Sequence, residues 1–273
     1  MAKRKLGIWT GEGGGLTANP RAEIMGLAMR VIVLASQKGG SGKTTLSGHL
    51  GVQAELAGDG PVALIDTDPQ GSLAKWWNVR AKPTPAFVQS VFSNLLYDLE
   101  HVRSQGFNIV IIDTPPAVTR AIAEVVSFAD LVILPARPSP HDLRAVGATV
   151  DIVEARRKQM IFVLNAAAPR AKITSEAAVA LSQHGTVAPV TLYHRIDYAA
   201  SMIDGRTVME TDPEGRSATE IKELWAYIAD RLAKAEPIPP PPLSAPTPIL
   251  RATPIQVNAL GQRMKSFGRR AVQ

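Results

Sequence analysis

The chain has 273 residues, 45% of them hydrophobic, with 30 Lys and Arg against 24 Asp and Glu and no cysteine. That length can bury one large α/β core or two small ones. Without cysteine there are no disulfides, iron–sulfur ligands or thiolate zinc sites, and the expected compartment is the cytoplasm. No apolar run reaches the roughly 18 residues of a membrane span, and residues 1–15 lack the apolar stretch of a secretory signal. The net charge of +6 sits at the ends: residues 237–273 carry five basic and no acidic residues, and 1–29 carry four basic and two acidic. Setting those aside leaves 21 basic and 22 acidic residues in 30–236. Any surface for nucleic acid on that body must therefore be a local patch, not a general coat of positive charge.

Residues 1–29, rich in Gly and small polar residues, are expected to be a disordered extension. Met29 directly precedes the first apolar run and is a candidate second start. Apolar runs then recur at Val31–Ala35, Val62–Ile65, Ile109–Ile112, Leu131–Leu134 and Ile161–Leu164. They are short, continuous and rich in Val and Ile, as strands covered on both faces should be. Helical patterns lie between them, near Thr44–Ala57, Phe92–Gln105, Val118–Phe128, Pro140–Arg157 and Thr174–His184, with a last one near Ser217–Lys234. The alternation predicts an α/β domain over 30–236, a mostly parallel twisted sheet flanked by helices. From Pro237 to Pro254, eight of 18 residues are proline, which predicts an extended spacer. In 255–273, Val257, Leu260, Met264 and Phe267 recur at helical spacing among basic residues, a candidate amphipathic tail.

Three segments carry chemistry. Gln37-Lys38-Gly39-Gly40-Ser41-Gly42-Lys43-Thr44-Thr45 follows one predicted strand and opens a helix. Glycines let successive N–H groups point at phosphate oxygens, and the helix N-terminus adds a positive dipole end. Lys43 would reach the β- and γ-phosphates of ATP, and the Thr44 hydroxyl would ligate Mg²⁺. Val62–Asp66-Thr67-Asp68-Pro69-Gln70-Gly71 ends a strand in two carboxylates that project to the same side. Asn108–Ile112-Asp113-Thr114-Pro115-Pro116 is four apolar residues followed by Asp, the pattern of a Walker B strand whose carboxylate holds Mg²⁺.

Together these boxes resemble the ParA/MinD family of ATPases, over roughly Arg30 to Lys234. Lys38 makes the first segment similar to the family's deviant Walker A box, KGGxGKTT. The resemblance implies that Lys38 reaches the partner's nucleotide across a sandwich homodimer, so that ATP binding and dimerisation are one event. It implies that Asp68 positions the attacking water, that Asp66 supports the magnesium shell, and that Thr114-Pro115-Pro116 is a switch segment. It also implies that Asn165, at the end of a strand, reads the adenine edge.

Segments around Pro138-Ser139-Pro140 and Tyr193–Val208 extend the resemblance more loosely. The missing cysteines exclude nitrogenase-reductase-like and cluster-scaffold members. The DPQG box favours a ParA-type protein that positions or segregates a plasmid, chromosome or protein complex. Such a protein would bind DNA without sequence preference and associate with the nucleoid. A ParB-like or adaptor protein would stimulate its hydrolysis. Arg195, Arg206, Arg216 and Lys222 are the candidate DNA contacts. A MinD-like membrane-associated ATPase is the alternative, resting on the tail alone, and a membrane is not the expected partner.

Overall fold

The structure, a computed structural model, describes residues 29–117 and 120–235. The expected extension over 1–28, the proline spacer and the basic tail lie outside those residues. The strands are β1 (Arg30–Leu34), β2 (Val62–Asp66), β3 (Ala86–Gln89), β4 (Ile109–Asp113), β5 (Leu131–Ala136), β6 (Gln159–Leu164) and β7 (Thr186–Val187). The helices are α1 (Lys43–Leu56), α2 (Ser72–Val79), α3 (Leu95–Ser104), α4 (Arg120–Ser127), α5 (Pro140–Ala155), α6 (Lys172–Ser182), α7 (Ile196–Ser201), α8 (Val208–Thr211) and α9 (Arg216–Lys234). The sheet runs β3-β2-β4-β1-β5-β6-β7, and every paired neighbour is parallel.

The alternation along each strand decides which layer it serves. Ile32 and Leu34 of β1, Val62 and Leu64 of β2, and Ile109 and Ile111 of β4 face one core, against α1, α2 and α9. Val31 and Val33, Ala63 and Ile65, and Val110 and Ile112 face the other, against α3, α4, α5 and α6. Because both faces are covered, the runs are apolar throughout and show no polar alternation. Burying side chains the size of Leu34, Leu64, Ile111 and Ile112, all at 0% exposure, contributes about 1.5–3 kcal/mol each.

Two strands and three helices were not legible in advance. β3 is a four-residue edge strand that is only partly buried, and β7 is two residues long. α2, α7 and α8 are 8, 6 and 4 residues long, too short for a clear helical period. The expected helix at Val118–Phe128 is α4 within the described residues, and the last helix begins one residue earlier than expected, at Arg216.

From β1 the chain crosses to one side of the sheet through β2, β3 and β4, and then to the other side through β5, β6 and β7. The strand order therefore reverses beside β1. The crevice outside the carboxyl ends at such a reversal is where open α/β sheets take ligands. The loop after β1, the carboxylates ending β2 and β4, and the residues after β5 and β6 all arrive there.

Candidate active site

Register brings the acidic residues together. Asp66 pairs with Asp113 across β2 and β4, and Asp113 pairs with Leu34 across β4 and β1. Two strands thus end level with each other, each with a carboxylate, next to the loop that leaves β1.

That loop is held by backbone geometry. Gly40 has φ +72° and Gly42 φ +100°, a region that glycine enters without steric penalty. Gly42 precedes α1, and no side chain caps that terminus. The first N–H groups of α1 are thereby left for an anion, as helix N-termini provide. Lys38, Gly39 and Gly40 are exposed, whereas Ser41 and Lys43 are buried. Lys43 Nζ donates to the carbonyls of Ser36 (3.1 Å) and Lys38 (3.4 Å). Burial lowers its pKa, opposed by the charges of Asp113 and Asp68.

Asp113 is the most deeply buried carboxylate of the site. Its Oδ2 accepts from the Thr44 hydroxyl at 2.6 Å, and its Oδ1 is buried with no hydrogen-bond partner. Burial pushes its pKa up to about 7, and the Thr44 bond only partly opposes this. Burial also raises Asp66. An orphaned carboxylate oxygen, a hydroxyl beside it and acids held against their preferred charge state fit a divalent cation. Among the described residues no cluster of three or more His, Asp or Glu could hold a metal alone. Thr44 and Asp113 are the residues that would hold such a cation.

Asp66 has a different employment. Its Oδ1 accepts from the Asp68 N–H at 3.0 Å and its Oδ2 from the Ala74 N–H at 3.0 Å. It fixes the turn carrying Asp68 and anchors the start of α2. Asp68 is half-buried, and its Oδ1 accepts from Gln70 N–H at 2.9 Å. Thr114 Oγ1 donates to the Leu34 carbonyl at 2.7 Å, which ties the segment after β4 to β1.

Asn165 is the first residue after β6, and its side-chain amide donates to the Ser41 carbonyl at 2.7 Å. A Cβ on Gly42 would lie 2.1 Å from its Nδ2. The structure thus places Asn165 as a brace on the phosphate loop, with Gly42 required to make room. Ala166 follows it with φ +51°, an uncommon conformation for alanine.

The four basic candidates do not form a free patch. Arg195 pairs with the largely buried Glu220 and lies over the Tyr193 ring, and its pKa is raised chiefly by the Glu220 bond. Glu220 also accepts from Tyr193 N–H and Tyr198 OH, so Arg195 belongs to an internal network. Arg206 pairs with Asp204, and Lys222 donates to the Pro213 carbonyl and faces Glu214 at 3.8 Å. Arg216 is exposed at the start of α9 with no ion pair among the described residues. Sequence reasoning did not single out Arg137, the exposed first residue after β5, whose Nη2 lies 3.8 Å from the point where a Cβ on Gly40 would stand. The rule that ligands gather at the carboxyl ends of parallel strands would have marked it.

A phosphate loop opening a helix, flanked by strand-end carboxylates at a reversal of strand order, defines a P-loop nucleotide-binding domain. Residues 32–231 match the family described as the CobQ/CobB/MinD/ParA nucleotide binding domain. The chain belongs to this ParA/MinD family of nucleotide-binding ATPases. It is 30% identical over 198 residues to "Maintenance of carboxysome distribution protein A" of Halothiobacillus neapolitanus, covering 69% of this chain and 91% of that protein. With "Protein ParA" of Rhizobium radiobacter it shares 37% over 117 residues, 42% of this chain and 51% of the relative. The fold matches that of the cell division ATPase MinD from Pyrococcus furiosus, with a TM-score of 0.64, 18% identity and coverage of 75% of this chain and 100% of that one. It also matches a Cyanothece McdA variant in complex with ATP, with a TM-score of 0.58, 18% identity and coverage of 77% and 98%.

Proposed function

We propose that this chain is a ParA-type positioning ATPase. In this reading it closes into a sandwich homodimer on MgATP, binds DNA without sequence preference in that state, and is reset by partner-stimulated hydrolysis. The observation that carries the reading is the arrangement at the sheet edge, where an exposed Lys38 leads a phosphate loop that adjoins Asp68 and the Thr44–Asp113 pair. Bound MgATP supplies the phosphoanhydride and a metal charge that neutralises its oxygens. Lys43 exchanges the Ser36 and Lys38 carbonyls for phosphate oxygens. Thr44 and Asp113 would hold the metal, Asp68 would orient the water, and Lys38 would reach a second copy. Phosphoryl transfer needs positioning and charge stabilisation above all, so a half-buried carboxylate such as Asp68 suffices for the water.

The proposed cargo is a large protein assembly of the carboxysome kind. Support comes from the 91% of the Halothiobacillus protein that the match covers, against 51% for the Rhizobium ParA. With Arg195 held by Glu220, the contacts fall to Arg216 and to groups that dimerisation brings together.

The test is a gel shift of the full chain on nonspecific duplex DNA with ATP and with ADP at two salt concentrations. The expected result is a shift with ATP alone that weakens steeply with salt, by a log–log slope near −0.9 for each phosphate neutralised. Equal shifts in ATP and ADP, or none at low salt, would refute nucleotide-switched DNA binding.

A further inference from the structure

Arg137 follows β5 directly, at the sheet edge where Asp66, Asp113 and the phosphate loop meet. Its Nη2 lies 3.8 Å from the point where a Cβ on Gly40 would stand. On the other flank, Pro116 Cβ lies 4.0 Å from the corresponding point on Gly39. The leading half of the loop thus runs between Arg137 and the segment that follows Asp113. Arg137 is exposed, and among the described residues no ion pair or side-chain hydrogen bond holds its guanidinium. Elsewhere among the described residues Arg80, Arg195 and Arg206 are each paired with a carboxylate. Arg137 is not, although three carboxylates end at the same edge.

Charge balance calls for such a group. A triphosphate brought beside Asp66, Asp68 and Asp113 would add negative charge to a site whose buried cation, among the described residues, is Lys43. A magnesium ion would offset only part of it, and Lys38 is exposed at the start of the loop. A guanidinium offers a planar fork of donors matched to phosphate oxygens, and it stays charged at any working pH.

We propose that Arg137 is a further phosphate-binding residue of the nucleotide site, donating its guanidinium to the terminal phosphate of ATP held in its own subunit. Its own subunit is indicated because the guanidinium already flanks its own Gly40. The terminal phosphate is indicated because the loop's leading half adjoins Pro116 and the end of β4, while the trailing half opens α1. The proposal rests on the MgATP site itself. Arg137 would let the protein distinguish ATP from ADP before a second copy joins.

The experiment compares the full chain with Arg137→Ala and Arg137→Lys, each alone and combined with Lys38→Ala. It measures binding of a nonhydrolysable ATP analogue and of ADP, with Mg²⁺ present. For Arg137→Ala the expected result is affinity for the ATP analogue weaker by about tenfold or more, with ADP affinity within about twofold. Arg137→Lys should recover part of the loss, and the thermal midpoint without nucleotide should not move. The same ATP-selective loss should persist when Lys38→Ala is present. Equal weakening of both nucleotides would mark a structural effect on the loop. A loss seen only with Lys38 intact would place the contact on the partner's nucleotide. No change would leave Arg137 a solvated side chain. Each of these overturns the proposal. Lys43→Ala is the separate control: unaltered ATP binding there would refute the nucleotide site itself, whereas failure at Arg137 alone would leave it standing.

Discussion

Lys43 and Asp68 divide the work of the site differently, and substitution should separate them. Lys43 is 6% exposed and has carbonyls as its hydrogen-bond partners, so its charge is poorly compensated until phosphate arrives. Lys43→Ala should abolish binding of a fluorescent ATP analogue in a folded protein. Asp68 is half-buried and its Oδ1 accepts from the Gln70 backbone N–H. Asp68→Ala should bind ATP nearly as the parent does while hydrolysis falls by about 100-fold or more, the pattern of an interaction needed only in the transition state. Single-turnover hydrolysis beside equilibrium binding gives both numbers, and an unchanged hydrolysis rate would take the water-positioning role away from Asp68.

At the scale of elements, α1 is tied to α8 by one buried imidazole. His49 is 0% exposed, its Nδ1 lies 2.8 Å from the Thr45 carbonyl, and its Nε2 accepts from Val208 N–H at 3.3 Å. Those partners select the tautomer protonated on Nδ1, and a second proton on Nε2 would face an N–H donor. Burial accordingly lowers its pKa from 6.5 to about 4. The unfolded chain takes up this proton below about 6.5 while the folded chain refuses it down to about 4. Stability from this group is therefore full above pH 6.5 and declines as pH falls to 4, by up to about 1.4 kcal/mol per pH unit. Urea midpoints at pH 7, 6 and 5 should show the decline in the parent and a flatter profile in His49→Gln. Parallel profiles would mean that other groups carry the acid sensitivity. α1 starts at the phosphate loop, so the His49 contact also links the site to α8 and to the Arg80–Glu210 pair that joins α2 to α8.

For the whole molecule, the decisive question is whether nucleotide joins two copies. Lys38 is exposed at the lip of the site, and its backbone N–H donates to Ser36 Oγ at 3.2 Å. Among the described residues its side chain makes no hydrogen bond or ion pair. Lys38→Ala should keep nucleotide binding within about threefold in the separate subunit while losing ATP-driven dimerisation, because a contact made only across an interface costs only the assembled state. Light scattering with and without ATP measures this, and a mutant that pairs like the parent would return Lys38 to the status of an ordinary loop residue.

The sequence by itself determined the class of fold and the nucleotide boxes, because both rest on local patterns. Apolar runs at Val31, Val62, Ile109, Leu131 and Ile161 can be nothing but doubly covered strands when helical stretches separate them. The Lys38–Thr45 loop carries its glycines and its lysines within eight consecutive residues. Short edge elements escaped, since β3, β7 and α8 are set by what they pack against, not by their own periodicity. The roles of single side chains escaped for the same reason. Nothing in a linear reading pairs Arg195 with Glu220, 25 residues on, or sets Asn165 against a loop 124 residues earlier. Nor does it show that Asp66 spends both oxygens on backbone amides while Asp113 keeps one bare. Hydrogen-bond satisfaction and charge compensation depend on which groups the fold brings within about 3 Å of each other, and only the tertiary structure decides that.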